Sequence, residues 1–470
     1  MKILLINPPR FENIPVIREE RCEITERSSI LEPYSLLQIG ALLREDNHQV
    51  ELIDANGFDL TFNAISKKIK QGFDAIIFRF TPTTFDHDLK VASIAKSINN
   101  NILTIGICFT LNTLSKEVMT DAKDLDIYLR KDYETVIKEI FKQELSSVKG
   151  ITYRKGSKII INPDAEPIKD YDSMPMPAYD LLPSLKPYFI NTPAGQPFTI
   201  MYSSRGCPFR CIYCTVAGTP ARMRSAESVL NEIKFLKKKY NIKTISFFDE
   251  TFTLDKKRVL DICDGIKDMD ITWYCNTRAN LVDLTLLKRM YSAGCKGISF
   301  GIESGSETIL KNISKGITVA QQAEGIRLAK KARIKVYCSF IFGLPGETKK
   351  TINETIKFVS KTLPTSAQFN VAVPYPGTKL YELAKEKGWI TKLDWKSLYQ
   401  HSSLMKNENL TPKELEEARK KAYRSLYFNP AWILQNVLHV IREPSDFILA
   451  YKYVLKILKN YIWYGMKHAH

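Results

Sequence analysis

What the chain lacks narrows its class before any motif is read. The opening Met1-Lys-Ile-Leu-Leu-Ile runs straight into a strand pattern, with no charged leader, long apolar stretch or small-residue cleavage site. A cytoplasmic, reducing setting is therefore expected. Near the C-terminus, lysines break the apolar run well short of the roughly 20 residues that span a bilayer. Six of the nine cysteines (Cys22, Cys108, Cys263, Cys275, Cys295 and Cys338) stand apart in apolar surroundings, the setting of buried, reduced thiols. No clustered auxiliary cysteines and no peptide-recruitment domain are visible, which weighs against a peptide-modifying enzyme.

What is present points to several domains. A chain of 470 residues is too long for one ordinary core, and 44% apolar residues suffice to bury sizeable ones. The 68 Lys+Arg against 51 Asp+Glu give +17, which favours anionic partners: nucleic acid, an acidic membrane surface, or a phosphorylated or carboxylate substrate.

Along residues 1–147, short β-type runs alternate with helical ones: "KILLIN" (2–7), "YSLLQIGALLRE" (34–45), "QVELID" (49–54), "FDAIIFRF" (73–80) and "NILTIGI" (101–107). This alternation predicts an α/β, Rossmann-like doubly wound domain with ligands at the strand carboxyl ends. Residues 148–196 hold a hairpin pattern and a proline-rich stretch and read as a connector. Residues 197–385 alternate again through six strand candidates, which predicts a partial (β/α)6 barrel with its chemistry at the carboxyl ends. In its first helix Val229, Ile233, Leu236 and Tyr240 fall on one face. Residues 386–470 are expected to be helical.

The stretch "RGCPFRCIYC" (205–214) carries Cys207, Cys211 and Cys214 directly after the first barrel strand. A closed zinc or electron-transfer site takes four protein ligands, whereas a site that does chemistry keeps a position open. No His or Cys follows within the next forty residues to complete a zinc knuckle. Three thiolates can hold three irons of a 4Fe-4S cluster and leave the fourth free.

With Tyr213 before the third cysteine, this spacing resembles the radical S-adenosylmethionine (SAM) enzymes. The resemblance implies that the unique iron is chelated by SAM, which is cleaved reductively to a 5′-deoxyadenosyl radical. An external electron donor such as flavodoxin or ferredoxin is then required. Successive strand ends resemble that family's SAM contacts: Asp249 and Glu250 of "FFDETF" for the ammonium, Arg278 of "NTRAN" for the carboxylate, Glu303 and Ser304 of "FGIESGS" for the ribose. Gly343, Leu344 and Pro345 of "IFGLPGET" would lie against adenine, and "VPYPGTKLY" (373–381) completes the set.

The first domain, joined by "DYDSMPMPAYDLLP" (170–183), resembles the cobalamin-binding subgroup of class B methyltransferases, with "INPP", "PYSLLQIGALLRE" and "VELIDAN" matching its opening strand, helix and strand. The resemblance implies cobalamin as a third cofactor and C-methylation of an unactivated carbon. The chain departs from that subgroup at three places. His87 in "FDHDLK" lacks the following glycine of a cobalt-ligating motif, Gly106-Ile107-Cys108-Phe109 replaces the Gly-Gly after the fourth strand, and "RKDYE" (130–134) replaces a Gly-Glu-Gly-Glu turn. A non-methylating cyclase or carbon–carbon bond-forming enzyme with an empty cobalamin-type domain is the alternative.

Two rivals fit less well. A tRNA methylthiotransferase would add three N-terminal cysteines and a C-terminal β-domain, whereas only Cys22 and Cys108 precede the cluster. A non-catalytic carrier would not need Glu250, Arg278 and Glu303. Nucleic acid is thus not an expected partner. The final stretch puts Lys452, Lys456 and Lys459 on one helical face with Tyr453, Val454, Ile457, Tyr461 and Trp463 around the rest. That pattern suits a helix resting on anionic lipid and suggests a small, hydrophobic, lipid- or isoprenoid-like substrate met at a membrane surface.

Overall fold

The structure is a computed structural model that describes residues 1–19, 23–24, 29–190, 195–390 and 405–442. Its first sheet holds five parallel strands, β1 (Lys2–Asn7), β2 (Gln49–Asp54), β3 (Ala75–Arg79), β4 (Leu103–Ile107) and β5 (Ile127–Leu129), in the order β2-β1-β3-β4-β5. Successive side chains leave a strand on opposite faces. Ile3 and Leu5 of β1 accordingly enter one apolar cluster and Leu4 and Ile6 another. Burial on both faces explains why β1 reads as a nearly continuous apolar run.

The expected connector hairpin belongs to this sheet. Strands β6 (Ile151–Lys155) and β7 (Lys158–Ile161) add antiparallel beyond β5, which supplies hydrogen-bond partners to an edge that would otherwise stand bare. The first sheet therefore extends past residue 147.

The second sheet has six parallel strands in sequential order: β8 (Phe198–Met201), β9 (Thr244–Phe247), β10 (Thr272–Thr277), β11 (Cys295–Glu303), β12 (Lys335–Phe342) and β13 (Ser366–Val371). This is the expected partial barrel. Helix α2 (Ala226–Tyr240) starts where Ser225 accepts the Ser228 N–H, and it buries Val229, Ile233 and Leu236, with Tyr240 half-buried. Five of the six scattered cysteines are buried free thiols; Cys22 lies outside the described residues.

The two domains share buried structure. Helix α1 (Tyr34–Glu45) packs Leu36 and Ile39 on the first sheet, while its Tyr34 and Leu37 join the barrel core beside Phe198 and Ile200. A helix apolar on both sides is the kind that sits between two cores. Just before it, the fully buried Glu32 accepts the Thr199 hydroxyl and the Ile200 N–H, each at 2.5 Å. Burial, only partly offset by those bonds, pushes its carboxyl up to about 7.

After the barrel come α3 (Pro412–Tyr427), which packs Leu415, Ala422 and Leu426 into the barrel core, and α4 (Pro430–Arg442). Among the described residues no helix is long and apolar enough to cross a membrane. The stretch with Lys452, Lys456 and Lys459 lies outside the described residues.

Candidate active site

The three cysteines sit on a loop closed at its neck by a two-residue ribbon, Ser204–Arg205 antiparallel to Arg222–Met223. Gly206 opens the loop at φ +90°, and a Cβ there would meet the Pro220 carbonyl oxygen at 2.2 Å, so only glycine fits. Inside the loop the Cys207 N–H donates to Thr219 Oγ1 at 3.0 Å and the Cys214 N–H to the Cys211 carbonyl at 3.1 Å. Two neighbours hold it from outside: the Ile212 N–H donates to the Ile313 carbonyl, and the Ile212 carbonyl accepts from the Leu380 N–H of the "VPYPGTKLY" segment.

Burial pushes the Cys214 thiol up to about 12, and the nearby Cys211 and Cys207 add to the shift. Among the described residues no group of three or more such ligands is drawn together around a single ion. An all-thiolate donor set suits iron–sulfur chemistry, and the residues fit a 4Fe-4S cluster with one open iron.

Arg278, at the end of β10, is buried beside this loop. Its guanidinium lies 3.8 Å from the Phe209 ring centroid, with Nη1 3.9 Å from Cys211 Sγ and Nη2 donating to the Lys315 carbonyl. Its Nε is buried without a partner. An orphaned donor next to a cluster cysteine suits a carboxylate ligand, as the SAM reading expects.

At the end of β11, Glu303 holds φ +65°. Its Oε1 accepts from Lys315 Nζ at 2.8 Å, and the same ammonium donates to the Tyr213 hydroxyl at 3.2 Å. Room for this arrangement comes from Gly301, where a Cβ would stand 2.6 Å from Glu303 Oε1. Burial first, then the Glu303 charge, drive the Tyr213 hydroxyl well above its ordinary value.

Gly343, Leu344 and Pro345 form a turn held from beneath by the buried Glu347. Its Oε2 accepts from the Gly343 N–H at 2.5 Å and the Leu344 N–H at 3.3 Å, while Oε1 has no partner. Asn407 Nδ2 bonds the Leu344 and Glu347 carbonyls from the other side.

Two expected SAM contacts are otherwise engaged. Asp249 is fully buried: it accepts from the Ser203 N–H and from the Ser203 and Ser204 hydroxyls at 2.6–2.7 Å, with Arg258 3.7 Å away. Both oxygens brace the end of β8, whereas Glu250, the other expected ammonium contact, is half-buried beyond the end of β9. Ser304 is also fully buried, with its hydroxyl on Thr355 Oγ1 and the Ser306 N–H, and it braces the loop after β11.

Lys315, Glu347, Asn407 and Phe209 were not legible as site residues. Glu347 stands inside "IFGLPGET" beside the glycines of the turn, whereas Lys315 and Asn407 carry no local signal.

At the strand ends of the first domain, the turns after β4 and β5 carry aromatic side chains. Phe109 stacks on Tyr133 (5.9 Å, 16°) between the guanidiniums of Arg79 and Arg205, where close approach would need bare backbone. His87 is wedged edge-on against Phe11 and Phe62, with Nε2 3.2 Å from the Pro9 carbonyl. The Phe109–Tyr133 stack and the wedged His87 are where this chain departs from the glycine-rich turns and lower histidine of a corrinoid site.

Fold and site together define an enzyme that works with a 4Fe-4S cluster and SAM. Residues 201–359 match the family described as the radical SAM superfamily. An uncharacterized methyltransferase of Pyrococcus horikoshii is 35% identical over 96% of this chain and 96% of its own length. The anaerobic magnesium-protoporphyrin IX monomethyl ester cyclase of Cereibacter sphaeroides is 28% identical over 83% of this chain and 66% of its own. Among solved structures, the cobalamin-dependent SAM radical enzyme OxsB, with aqua-cobalamin and SAM bound, superposes with TM-score 0.72 over 99% of this chain and 76% of that one, at 20% identity. The chain belongs to the radical SAM superfamily, with the two-domain fold of its cobalamin-dependent members.

Proposed function

We propose that the chain functionalises an unactivated carbon of a hydrophobic, lipid-like small molecule, with C-methylation as the outcome. One arrangement carries the reading: an all-thiol loop with Arg278 beside Cys211 and the Lys315–Glu303 pair at the neighbouring strand end. When bound, the cluster and SAM supply a carbon-centred radical able to abstract hydrogen from such a carbon, given an electron from a donor such as flavodoxin or ferredoxin. The chain's own residues hold SAM and keep water out: Arg278 suits its carboxylate, Glu250 its ammonium, Glu303 its ribose, and the Gly343–Pro345 turn its adenine. The methyltransferase name of the P. horikoshii relative supports methylation.

The hydrophobic substrate is supported by α4. Trp432 and Gln435 tie it to the barrel through the Pro364 and Leu363 carbonyls, whereas Ile433, Leu434, Val437, Leu438 and Ile441 are exposed on the opposite side. Such an apolar stripe marks a contact surface, and we read it as the face that rests on anionic lipid.

A second reading, cyclisation or carbon–carbon coupling without a corrinoid, is favoured by the Phe109–Tyr133 stack. One experiment tests both: anaerobic lipid and metabolite extracts of strains with and without the gene, grown with methyl-deuterated methionine, alongside cobalt analysis of the purified protein. Methylation predicts a gene-dependent product carrying the label. A gene-dependent product without the label, from a cobalt-free protein, establishes the second reading, and no gene-dependent product overturns both.

A further inference from the structure

The neck of the cluster loop sets two like charges opposite each other. In the ribbon, Arg205 and Arg222 are direct register partners across two antiparallel strands. Like charges directly opposite destabilise a strand pair, and both guanidiniums are largely buried, at 13% and 15% exposure, where water screens them little. The counter-charges come from the other domain. Glu134 forms an ion pair with Arg205, and Asp132 lies 3.4 Å from Arg222. Both acids stand on the turn after β5, with Tyr133 between them.

That turn is shaped for the task. Asp132 adopts the left-handed conformation at φ +52°, one that favours glycine and that Asp tolerates at a cost. Tyr133 supports the Arg205 guanidinium 5.2 Å from its ring centroid, and Phe109, stacked on Tyr133, lies 5.6 Å from the same group.

We propose that the N-terminal domain is a positioning element for the iron–sulfur loop: Asp132 and Glu134 neutralise the paired arginines at its neck and so keep the three cysteines in register for cluster and SAM binding. This goes beyond the catalytic reading and holds whatever the substrate. Neither acid touches the reacting groups; both act through Arg205 and Arg222. The N-terminal domain would then be needed even in a chain that carries no corrinoid.

The test uses the full-length, anaerobically reconstituted protein. Asp132→Asn with Glu134→Gln should leave secondary structure and the main unfolding transition in place, yet change the electron paramagnetic resonance signature of the reduced cluster and lower SAM cleavage by about tenfold or more. Because loss of a buried counter-charge could also unfold the neck, the charge swap Glu134→Arg with Arg205→Glu serves as a second arm and should recover at least half of the cleavage rate, roughly. Wild-type cleavage and an unchanged spectrum in the double neutral variant would overturn the proposal. So would a charge swap no better than Glu134→Arg alone.

Discussion

Lys315 Nζ stands 2.8 Å from Glu303 Oε1 and 3.2 Å from the Tyr213 hydroxyl, which links the loop after α-helical residues 307–312 to the strand end of β11 and to the residue before the third cluster cysteine. Lys315 and Glu303 are each only 5% exposed. Removing one member of such a pair leaves the other charge stranded, a loss on the order of 3–5 kcal/mol. Lys315→Met should therefore lower unfolding stability by about that amount, measured by anaerobic denaturant titration, and weaken SAM binding by equilibrium dialysis. A variant as stable as the parent would mean that water already shares the pair.

Cys207→Ala should abolish reductive SAM cleavage. The parent protein, reconstituted without oxygen, should hold about four irons and four sulfides per chain. Zinc as the only metal found, or full cleavage by the variant, would contradict the cluster assignment.

Glu347 makes a pH-dependent contribution of predictable sign. Burial raises its carboxyl from the ordinary 4.5 to about 8, against the lowering effect of the Gly343 and Leu344 N–H bonds. Between those two values the folded chain holds a proton that the unfolded chain has released, so stability falls as pH rises from about 4.5 to about 8 and then levels. Glu347→Gln keeps an acceptor for both amides and removes the titration. The stability difference, Gln variant minus parent, should grow with pH across that window; a flat difference would show that Glu347 titrates normally.

Leu434→Asp with Ile441→Asp should abolish binding to anionic vesicles in a sedimentation assay while leaving cluster content unchanged. The parent protein should bind, and less so as salt is added, because exposed charges are screened within about a Debye length of 10 Å at 0.1 M. No salt-sensitive binding by the parent would remove the membrane surface from the proposed function. Removal of residues 445–470 from the folded protein tests separately whether Lys452, Lys456 and Lys459 take part.

How much was legible follows from where each signal resides. The strands of both sheets announce themselves because period-two burial and helix–strand alternation are local consequences of backbone geometry. The hairpin at 151–161 was legible as a hairpin, whereas its place on the first sheet depended on the unpaired edge of β5. In the same way "FFDETF" marks a strand end, but that Asp249 is bound up with Ser203 and Ser204, some 45 residues upstream, is decided only in the fold.

The sequence by itself determined the class of chemistry. Three thiols at short spacing after Gly206 form a motif whose meaning lies in covalent distance and in one glycine conformation, both readable without a fold. Tertiary structure alone decided which charged groups serve that loop. Lys315 meets Tyr213 across 102 residues and Glu134 meets Arg205 across 71. Pairing of buried charges is set by which partner burial brings within a few ångströms, and no local pattern encodes that distance.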